Sequence, residues 1–304
     1  MDLGMLRGAL LSLALVGMLA GGGAVAQERR SPTLEKIRAQ GTIYLGYRED
    51  ALPFSYLDAG GAPTGFSPAL CASVVDAVKQ RLGLAKLAVV HVPVSSGARQ
   101  MMLEAGTIDL ECGAEINSVQ RQRYVAFSVT TFVSEVKALV RKDTGVHALR
   151  DLQGKVVLSL TGSRFESYLR AAAARQGLSV NTRLGRDPEA AVQQVLGGQA
   201  DALVLDDVQL RALLLQRSPD EAAQFKLLDE VIAVEPYALM LRRNDAEFKA
   251  LVDATLIGLM RRGDFARIYS QWFVDPIPPT GRSLGLPMGD LLRQLIETPN
   301  DRGV

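Results

Sequence analysis

The sequence predicts an α/β protein of two lobes that open and close on a hinge. Two stretches of alternating strand and helix patterns follow one another along the chain and indicate two separate sheets. Two extended apolar runs, Phe132–Val140 and Glu235–Leu241, lack helical periodicity and join the two stretches. A chain that crosses twice between two sheets is typical of proteins that close around a bound molecule.

The first 26 residues predict an export signal. Arg7 precedes an apolar run over residues 9–20, and Ala24-Val25-Ala26 supplies an A-x-A cleavage site. The run is too short for a comfortable membrane span, and an uncleaved anchor is the alternative. We therefore expect a cleavable signal peptide and a mature chain that begins near Gln27 outside the cytoplasm.

Composition excludes several classes of function. Lys and Arg number 34 against 33 Asp and Glu, a net charge of +1, so nucleic acid is not an expected partner. With only His91 and His147, both at ordinary structural positions, no metal site is expected, and no P-loop or dinucleotide fingerprint predicts a cofactor. The two cysteines, Cys71 and Cys112, are more often bridged than free in an exported protein.

Local signals define the elements of the first stretch. Ser31 is a helix N-cap with Pro32 at the first helical position. Residues Asp58-Ala59-Gly60-Gly61 form a hairpin turn, and the apolar run Leu87–Val94 predicts a buried strand. The predicted elements are a helix over 33–40, strands from 42 and over 54–57, a helix over 68–82, a strand over 87–94, a helix ending at 105 and a strand over 108–111.

The second stretch repeats the rhythm of strands and helices. Its predicted strands cover residues 125–128, 132–140, 155–160, 179–183, 200–205, 225–228 and 237–241. One predicted helix ends at residue 176, and the others cover residues 188–196, 208–216, 246–260 and 265–273. The tail carries an amphipathic helix, Met288–Ile296, which we expect to pack on the first lobe.

Arg48 stands at the carboxyl end of the strand that carries Tyr44, just before a loop closed by Pro53. Ligands of open α/β sheets bind at that edge, so Arg48 is a candidate for binding an anion. The alternative is that Arg48 pairs with Glu49 or Asp50 on a solvated surface.

A second candidate anion site follows the strand that ends at Val94. Residues Ser95-Ser96-Gly97-Ala98-Arg99 lead into a helix, which places free backbone N–H groups beside an arginine. A serine in this position is also an ordinary helix N-cap, and the two roles are compatible.

Short motifs occur in order along nearly the whole mature chain. They are Thr33-Leu34-Glu35-Lys36-Ile37, Gly46-Tyr47-Arg48-Glu49, Pro53-Phe54-Ser55-Tyr56, Asp109-Leu110-Glu111-Cys112-Gly113, Arg121-Gln122-Arg123, Ala126-Phe127-Ser128, Leu205-Asp206-Asp207, Met240-Leu241-Arg242, Gln271-Trp272-Phe273 and Pro276-Ile277-Pro278-Pro279. Together they make the chain resemble the bacterial periplasmic solute-binding proteins for amino acids, most closely the glutamate/aspartate-binding proteins of ABC importers.

The resemblance implies roles for individual residues. Arg99, with Ser96 before it, would bind the ligand α-carboxylate, and Arg48 would bind a side-chain carboxylate. Asp206 would bind the ammonium group, although the plain interpretation of Asp206 is a helix N-cap. Ser163, in the loop that also contains Gly162, would add hydroxyl and backbone donors from the second lobe. The resemblance further implies a disulfide between Cys71 and Cys112 within the first lobe.

This chain departs from the family pattern at the ligand. Ala114, Glu115 and Ile116 stand where the glutamate/aspartate binders usually have small hydroxyl residues, and Pro188 stands where they have a histidine. Arg164 is a candidate replacement charge from the second lobe, or else points into solvent. The identity of the amino acid therefore stays open at this point.

The resemblance implies the two-lobed type II periplasmic-binding-protein fold, with a ligand cleft between the lobes. Residues 27–131 and 236–304 would form lobe 1 and residues 132–235 lobe 2. The expected partners are a small amino acid and an inner-membrane ABC permease, and the expected state is a periplasmic monomer.

Two other functions are weighed against transport. One is an enzyme on the same scaffold, similar to cyclohexadienyl dehydratase, for which Glu115 is the candidate general acid. The other is a sensory receptor for a small carboxylate. The transport receptor is preferred, and no catalytic residue is predicted, because there is no G-x-S-x-G motif and neither histidine lies near a plausible serine.

Overall fold

A computed structural model of the protein describes residues 30–304 except Ser96 and Gly162. The predicted signal peptide, residues 1–26, lies outside the described residues. In the described part of the chain, no helix combines the length and the apolar character needed to cross a membrane.

The strands fall into two large sheets and one small one. In chain order they are β1 Thr42–Tyr47, β2 Asp50–Ala51, β3 Ser55–Leu57, β4 Pro63–Thr64, β5 Ala88–Pro93, β6 Leu110–Glu111, β7 Val125–Phe127, β8 Phe132–Arg141, β9 Val156–Leu160, β10 Asn181–Gly185, β11 Ala202–Asp206, β12 Phe225–Leu227, β13 Ala233–Tyr237 and β14 Met240–Arg242.

The helices pack around these sheets and connect their strands. They are α1 Pro32–Gln40, α2 Phe66–Leu82, α3 Arg99–Ala105, α4 Phe165–Arg175, α5 Pro188–Leu196, α6 Asp207–Leu215, α7 Pro219–Ala222, α8 Ala246–Arg262, α9 Asp264–Phe273 and α10 Asp290–Glu297.

The first large sheet has the strand order β5-β1-β6-β14-β7. Strand β1 runs parallel to β5 and β6, whereas β14 is antiparallel to β6 and β7. Because β1, β5 and β6 are parallel, the loops that follow them all leave the same edge of the sheet. Arg48 and Arg99 follow two of these strands, so the topology brings the two predicted anion sites to one edge.

The second large sheet has the order β10-β9-β11-β8-β12, and β13 also pairs with β8. Strands β9, β10 and β11 are parallel, and β8 is antiparallel to β11, β12 and β13. The chain leaves the first sheet after β7, builds the second sheet from β8 to β13, and returns through β14. These two crossings confirm the predicted two-lobed fold, while the exact lobe boundaries stay a prediction.

Aromatic rings fill the region where the chain crosses between the sheets. Phe132, the first residue of β8, stacks on Phe273 with ring centroids 4.7 Å apart. Tyr237, the last residue of β13, stacks on Phe54 at 4.9 Å. Phe54 and Phe132 then meet edge to face at 5.0 Å. Both crossings are therefore fixed to the first lobe by one aromatic cluster.

Several local predictions are confirmed. The Ser31 hydroxyl accepts from the Leu34 N–H at 3.0 Å, as an N-cap does. The Asp58 carboxylate closes the turn between β3 and β4 by accepting from the Gly60 and Ala62 N–H groups, each at 2.8 Å. Short polar side chains at these positions satisfy backbone donors that the helix and the strands leave unpaired.

The prediction of a buried strand over Leu87–Val94 is wrong. Strand β5 lies at the edge of the first sheet, and Val89 and Val90 are 39% and 40% exposed. An apolar run identifies a strand, but its position in the sheet depends on long-range pairing that the run does not encode.

The C-terminal helix packs as predicted. Helix α10 lies against α8, and Leu292 is buried in the first-lobe core, although Leu291 is exposed. The tail also touches the second lobe, because the Arg282 guanidinium donates to the carbonyl oxygens of Leu215, the last residue of α6, at 3.0 Å and of Arg217 at 2.7 Å.

The expected disulfide is confirmed. Cys71 on α2 and Cys112, directly after β6, are bonded across a sequence separation of 41 residues, and both are buried. The bond fixes helix α2 to the strand edge that carries the cleft.

Removing this bond should destabilise the protein. For a double Cys71→Ala and Cys112→Ala variant we expect the free energy of unfolding to fall by roughly 3 to 4 kcal/mol. The reason is that the unfolded chain regains the conformational entropy that the disulfide removes by closing a loop. Chemical denaturation with and without a reductant measures the change. The reductant should not affect the double variant, and an unchanged midpoint for the reduced natural protein would contradict the expectation.

Candidate ligand-binding cleft

A cavity of about 510 Å³ lies between the two large sheets. Its first-lobe wall is formed by residues after β1 and β6 and at the start of α3, and its second-lobe wall by residues at the ends of β9 and β10 and on α6. The lining residues are Arg48, Asp50, Ala51, Leu52, Phe54, Arg99, Ala114, Ile116, Leu160, Arg186, Pro188, Gln209, Ala212, Leu213, Gln216 and Tyr237.

The positions of these residues follow from the direction of the strands. Arg48 follows β1, Leu160 ends β9 and Arg186 follows β10, so each stands at the carboxyl end of a parallel strand. This edge is where ligands bind in open α/β sheets. The two lobes therefore turn their strand ends toward one another across the cavity.

Arg48 is held by its own loop. Its backbone N–H donates to the Ser55 hydroxyl at 2.9 Å, and its guanidinium donates to Asp50 Oδ1 at 2.8 Å. The pairing with Asp50 is thus confirmed, and Arg48 also lines the cavity, while its role in binding an anion stays a prediction. Asp50 is exposed, so solvent screens the pair.

Arg99 meets an internal carboxylate that the sequence did not predict as its partner. Its Nε lies 2.6 Å from Glu115 Oε1, and Arg121 contacts the other oxygen of Glu115. The Arg99 contact lacks the geometry of a directional hydrogen bond, so it is an ion pair. The Glu115 side chain is fully buried, and such a carboxylate is costly unless cations compensate it. Glu115 therefore holds the Arg99 guanidinium in place by pairing with the Nε of Arg99.

A second buried carboxylate lies beside this ion pair. Burial and the nearby Glu115 carboxylate raise the pKa of Glu111 well above its ordinary value. This shift favours the neutral form of Glu111 and so lessens the negative charge buried beside Glu115.

Asp206 is buried at the end of β11 and reaches the cavity through two lining residues. The Tyr237 hydroxyl donates to its Oδ2 at 2.6 Å, and Gln209 Nε2 donates to the same oxygen at 2.9 Å. Asp206 stands in the N-cap position of α6, but its side chain caps no backbone N–H, so the interpretation as a capping side chain is wrong. Within the described residues, Oδ1 has no hydrogen-bond partner.

Glu235 places a second carboxylate close to Asp206. Burial, followed by the charge of Glu235, raises the pKa of Asp206 to about 7. Burial also raises the pKa of Glu235, whereas Tyr168 and the Arg164 charge lower it. A cation that enters beside Asp206 would favour its ionised form, so the pair suits an ammonium group.

The described residues include no group of three or more His, Cys, Asp and Glu side chains arranged to hold a metal ion. The polar groups at the cavity are instead guanidinium, carboxylate, amide and phenol groups. These groups bind charged and polar organic molecules through paired hydrogen bonds.

Comparison with known proteins identifies the family. The family model of bacterial extracellular solute-binding proteins, family 3, matches residues 43–275. This chain belongs to that family.

Relatives of this solute-binding protein match it over nearly its full length. An L-glutamate/L-aspartate-binding protein of Pseudomonas aeruginosa is 36% identical over 96% of both chains. A glutamate/aspartate import solute-binding protein of Escherichia coli is 31% identical over 97% of both chains. An ancestral amino acid-binding protein, described as a precursor of cyclohexadienyl dehydratase, has a TM-score of 0.62 at 24% identity over 79% of this chain and 98% of that chain, which shows the fold alone.

The cleft of this solute-binding protein contains some of the predicted site residues and not others. Arg48, Arg99, Ala114 and Ile116 line it, as does Pro188. Their contact with a ligand stays a prediction. Ala114, Ile116 and Pro188 offer no side-chain donor to the cavity, and the loss of polar ligand contacts stays a prediction.

Two predicted second-lobe residues point to other partners. The Ser163 hydroxyl donates to the Leu160 carbonyl at 2.6 Å, and Arg164 lies over the Tyr168 ring at 5.1 Å. Neither belongs to the cavity lining within the described residues. Ser96 and Gly162 lie outside the described residues.

Sequence reasoning missed Arg186, Gln209 and Gln216 as lining residues. Arg186 could have been found, because it follows β10 just as Arg48 follows β1. The two glutamines lie on or directly after α6, a helix whose orientation toward the cleft depends on tertiary packing.

The buried Asp206 carboxylate should make stability depend on pH. Its folded pKa is about 7 against an ordinary value of 3.8, so its contribution to the free energy of unfolding is present below pH 4 and is lost as pH rises to about 7. We expect Asp206→Asn to stabilise the ligand-free protein by roughly 2 kcal/mol more at pH 8 than at pH 5.

Thermal denaturation at the two pH values measures this difference. The exposed Asp229→Asn variant is the matched control and should show no such pH dependence. An Asp206→Asn effect that is equal at both pH values would contradict the assignment.

Proposed function

We propose that this protein is the receptor component of an ABC importer and binds an acidic amino acid between its lobes. The observation that carries the proposal is the charge pattern of the cavity. Arg48, Arg99 and Arg186 line it, and the buried Asp206 lies directly behind two other lining residues. An acidic amino acid presents two carboxylates and one ammonium group, which match this pattern of cations and carboxylate.

The binding specificities for which the relatives are named support this choice. The two relatives compared above are glutamate/aspartate-binding proteins, and one of them is an import solute-binding protein. The cavity volume of about 510 Å³ falls within the range of about 300–1,000 Å³ that is typical for small-molecule sites.

Closure of the lobes would report that the ligand is bound. Residues of both lobes line the cavity, so a ligand that contacts both walls stabilises the closed state over the open one. We propose that an inner-membrane permease recognises this closed state of an exported, periplasmic monomer.

The dehydratase alternative lacks its general acid. Glu115 is buried, and both of its carboxylate oxygens face guanidinium groups of Arg99 and Arg121. A general acid must reach the substrate within hydrogen-bond distance, and Glu115 is directed away from the cavity into its wall. We therefore propose a binding function without catalysis.

A thermal-shift screen of residues 27–304 tests this function. At a concentration of one hundred times Kd, glutamate or aspartate should raise the melting temperature by roughly 5 to 10 °C, because the ligand binds only the folded state. The panel should include the other common amino acids and dicarboxylates without an ammonium group.

The Asp206→Asn variant is the control, and it should lose most of the shift because the ammonium group loses its counter-charge. A shift with basic amino acids alone would overturn the acidic-ligand proposal. A shift with no member of the panel would overturn the role as an amino acid receptor.

A further inference from the structure

The charges of the cleft are distributed unevenly between the lobes. Among the described lining residues, three are arginines: Arg48 and Arg99 from the first lobe and Arg186 from the second. Each first-lobe arginine already pairs with an internal carboxylate, Asp50 or Glu115, at 2.8 Å and 2.6 Å. Part of the first-lobe positive charge is therefore compensated before a ligand arrives.

Arg186 differs from both first-lobe arginines. It is exposed, and within the described part of the chain its side chain makes no hydrogen bond or ion pair. Its neighbour Asp187 uses Oδ1 to accept from the Glu189 N–H at 2.9 Å, which caps helix α5. Among the described lining arginines, the one without a carboxylate partner is thus Arg186, on the second lobe.

Apart from Gln209 and Gln216, the described second-lobe residues that line the cavity offer an anion no other side-chain donor besides Arg186. Leu160, Ala114, Ile116 and Pro188 line the same cavity and carry no side-chain hydrogen-bond donor. A carboxylate that loses water in a closed cleft needs charged donors, and a guanidinium supplies two parallel N–H groups to its two oxygens. Arg186 is the lining group of the second lobe with this chemistry.

We propose that Arg186 binds the side-chain carboxylate of the ligand from the second lobe, and that this contact selects acidic amino acids over their amides. The inference rests on the proposed function and adds to it a specificity-determining residue. Through this contact, a ligand held by the first lobe pairs its side-chain carboxylate with the Arg186 guanidinium of the second lobe. The contact therefore favours closure for an acidic ligand and not for a neutral one.

Calorimetric titration with glutamate and with glutamine tests the inference. The two ligands share their α-carboxylate and ammonium groups, so their comparison isolates the side-chain carboxylate. We expect Arg186→Gln to weaken glutamate binding by about 10- to 100-fold, since charge-assisted bidentate contacts are lost, and to change glutamine binding by less than about threefold.

Two further variants separate this role from a general effect of charge. Arg183→Gln, at an exposed position of β10 outside the described cavity lining, removes the same charge and should change glutamate affinity by less than about threefold. Arg186→Lys keeps the charge but not the paired donors and should restore only part of the glutamate affinity. Unchanged melting temperatures of the ligand-free variants would show that each one folds.

The outcomes separate this inference from the proposed function. Glutamate affinity that survives Arg186→Gln, in a protein that binds glutamate, overturns the inference and leaves the receptor function intact. Equal losses for glutamate and glutamine also overturn it, because Arg186 would then bind a group that both ligands carry. A natural protein that binds no acidic ligand overturns the proposed function and this inference with it.

Discussion

The cost of burying charge determines how the cleft is built. Glu115 is fully buried and is tolerated because Arg99 and Arg121 contact its two oxygens. The same cost explains why the pKa of Glu111 is raised, since burial and the neighbouring Glu115 carboxylate both disfavour its ionised form. Arg99 therefore reaches the cavity from a buried cluster of charges in which Glu115 holds its guanidinium in place.

The second lobe carries the complementary half of the site. Asp206 and Glu235 form a buried acidic pair behind the cavity, and Arg186 stands free of internal partners among the described residues. The aromatic cluster around Phe54 and Tyr237 fixes the crossings beside this site, and both residues also line the cavity. The residues that connect the two lobes therefore also form part of the cavity wall.

The sequence predicts what depends on local pattern and on family motifs. The strand ends, the N-cap at Ser31 and the cleft position of Arg48 follow from such signals. The pairing of Arg99 with Glu115 does not, because the two side chains meet only after α3 and the segment beyond β6 have folded onto one sheet edge. The exposure of β5 and the partners of Asp206 depend likewise on tertiary packing.

A crystal structure of residues 27–304 with glutamate bound would test this account most directly. We expect a closed cleft with the ligand ammonium group at Asp206, the side-chain carboxylate in contact with Arg48 and Arg186, and Glu115 still paired with Arg99. A ligand with its ammonium group directed at the arginines, or one bound outside the cleft, would contradict it. Displacement of Glu115 from Arg99 would contradict the idea that Glu115 holds Arg99 in place before the ligand binds.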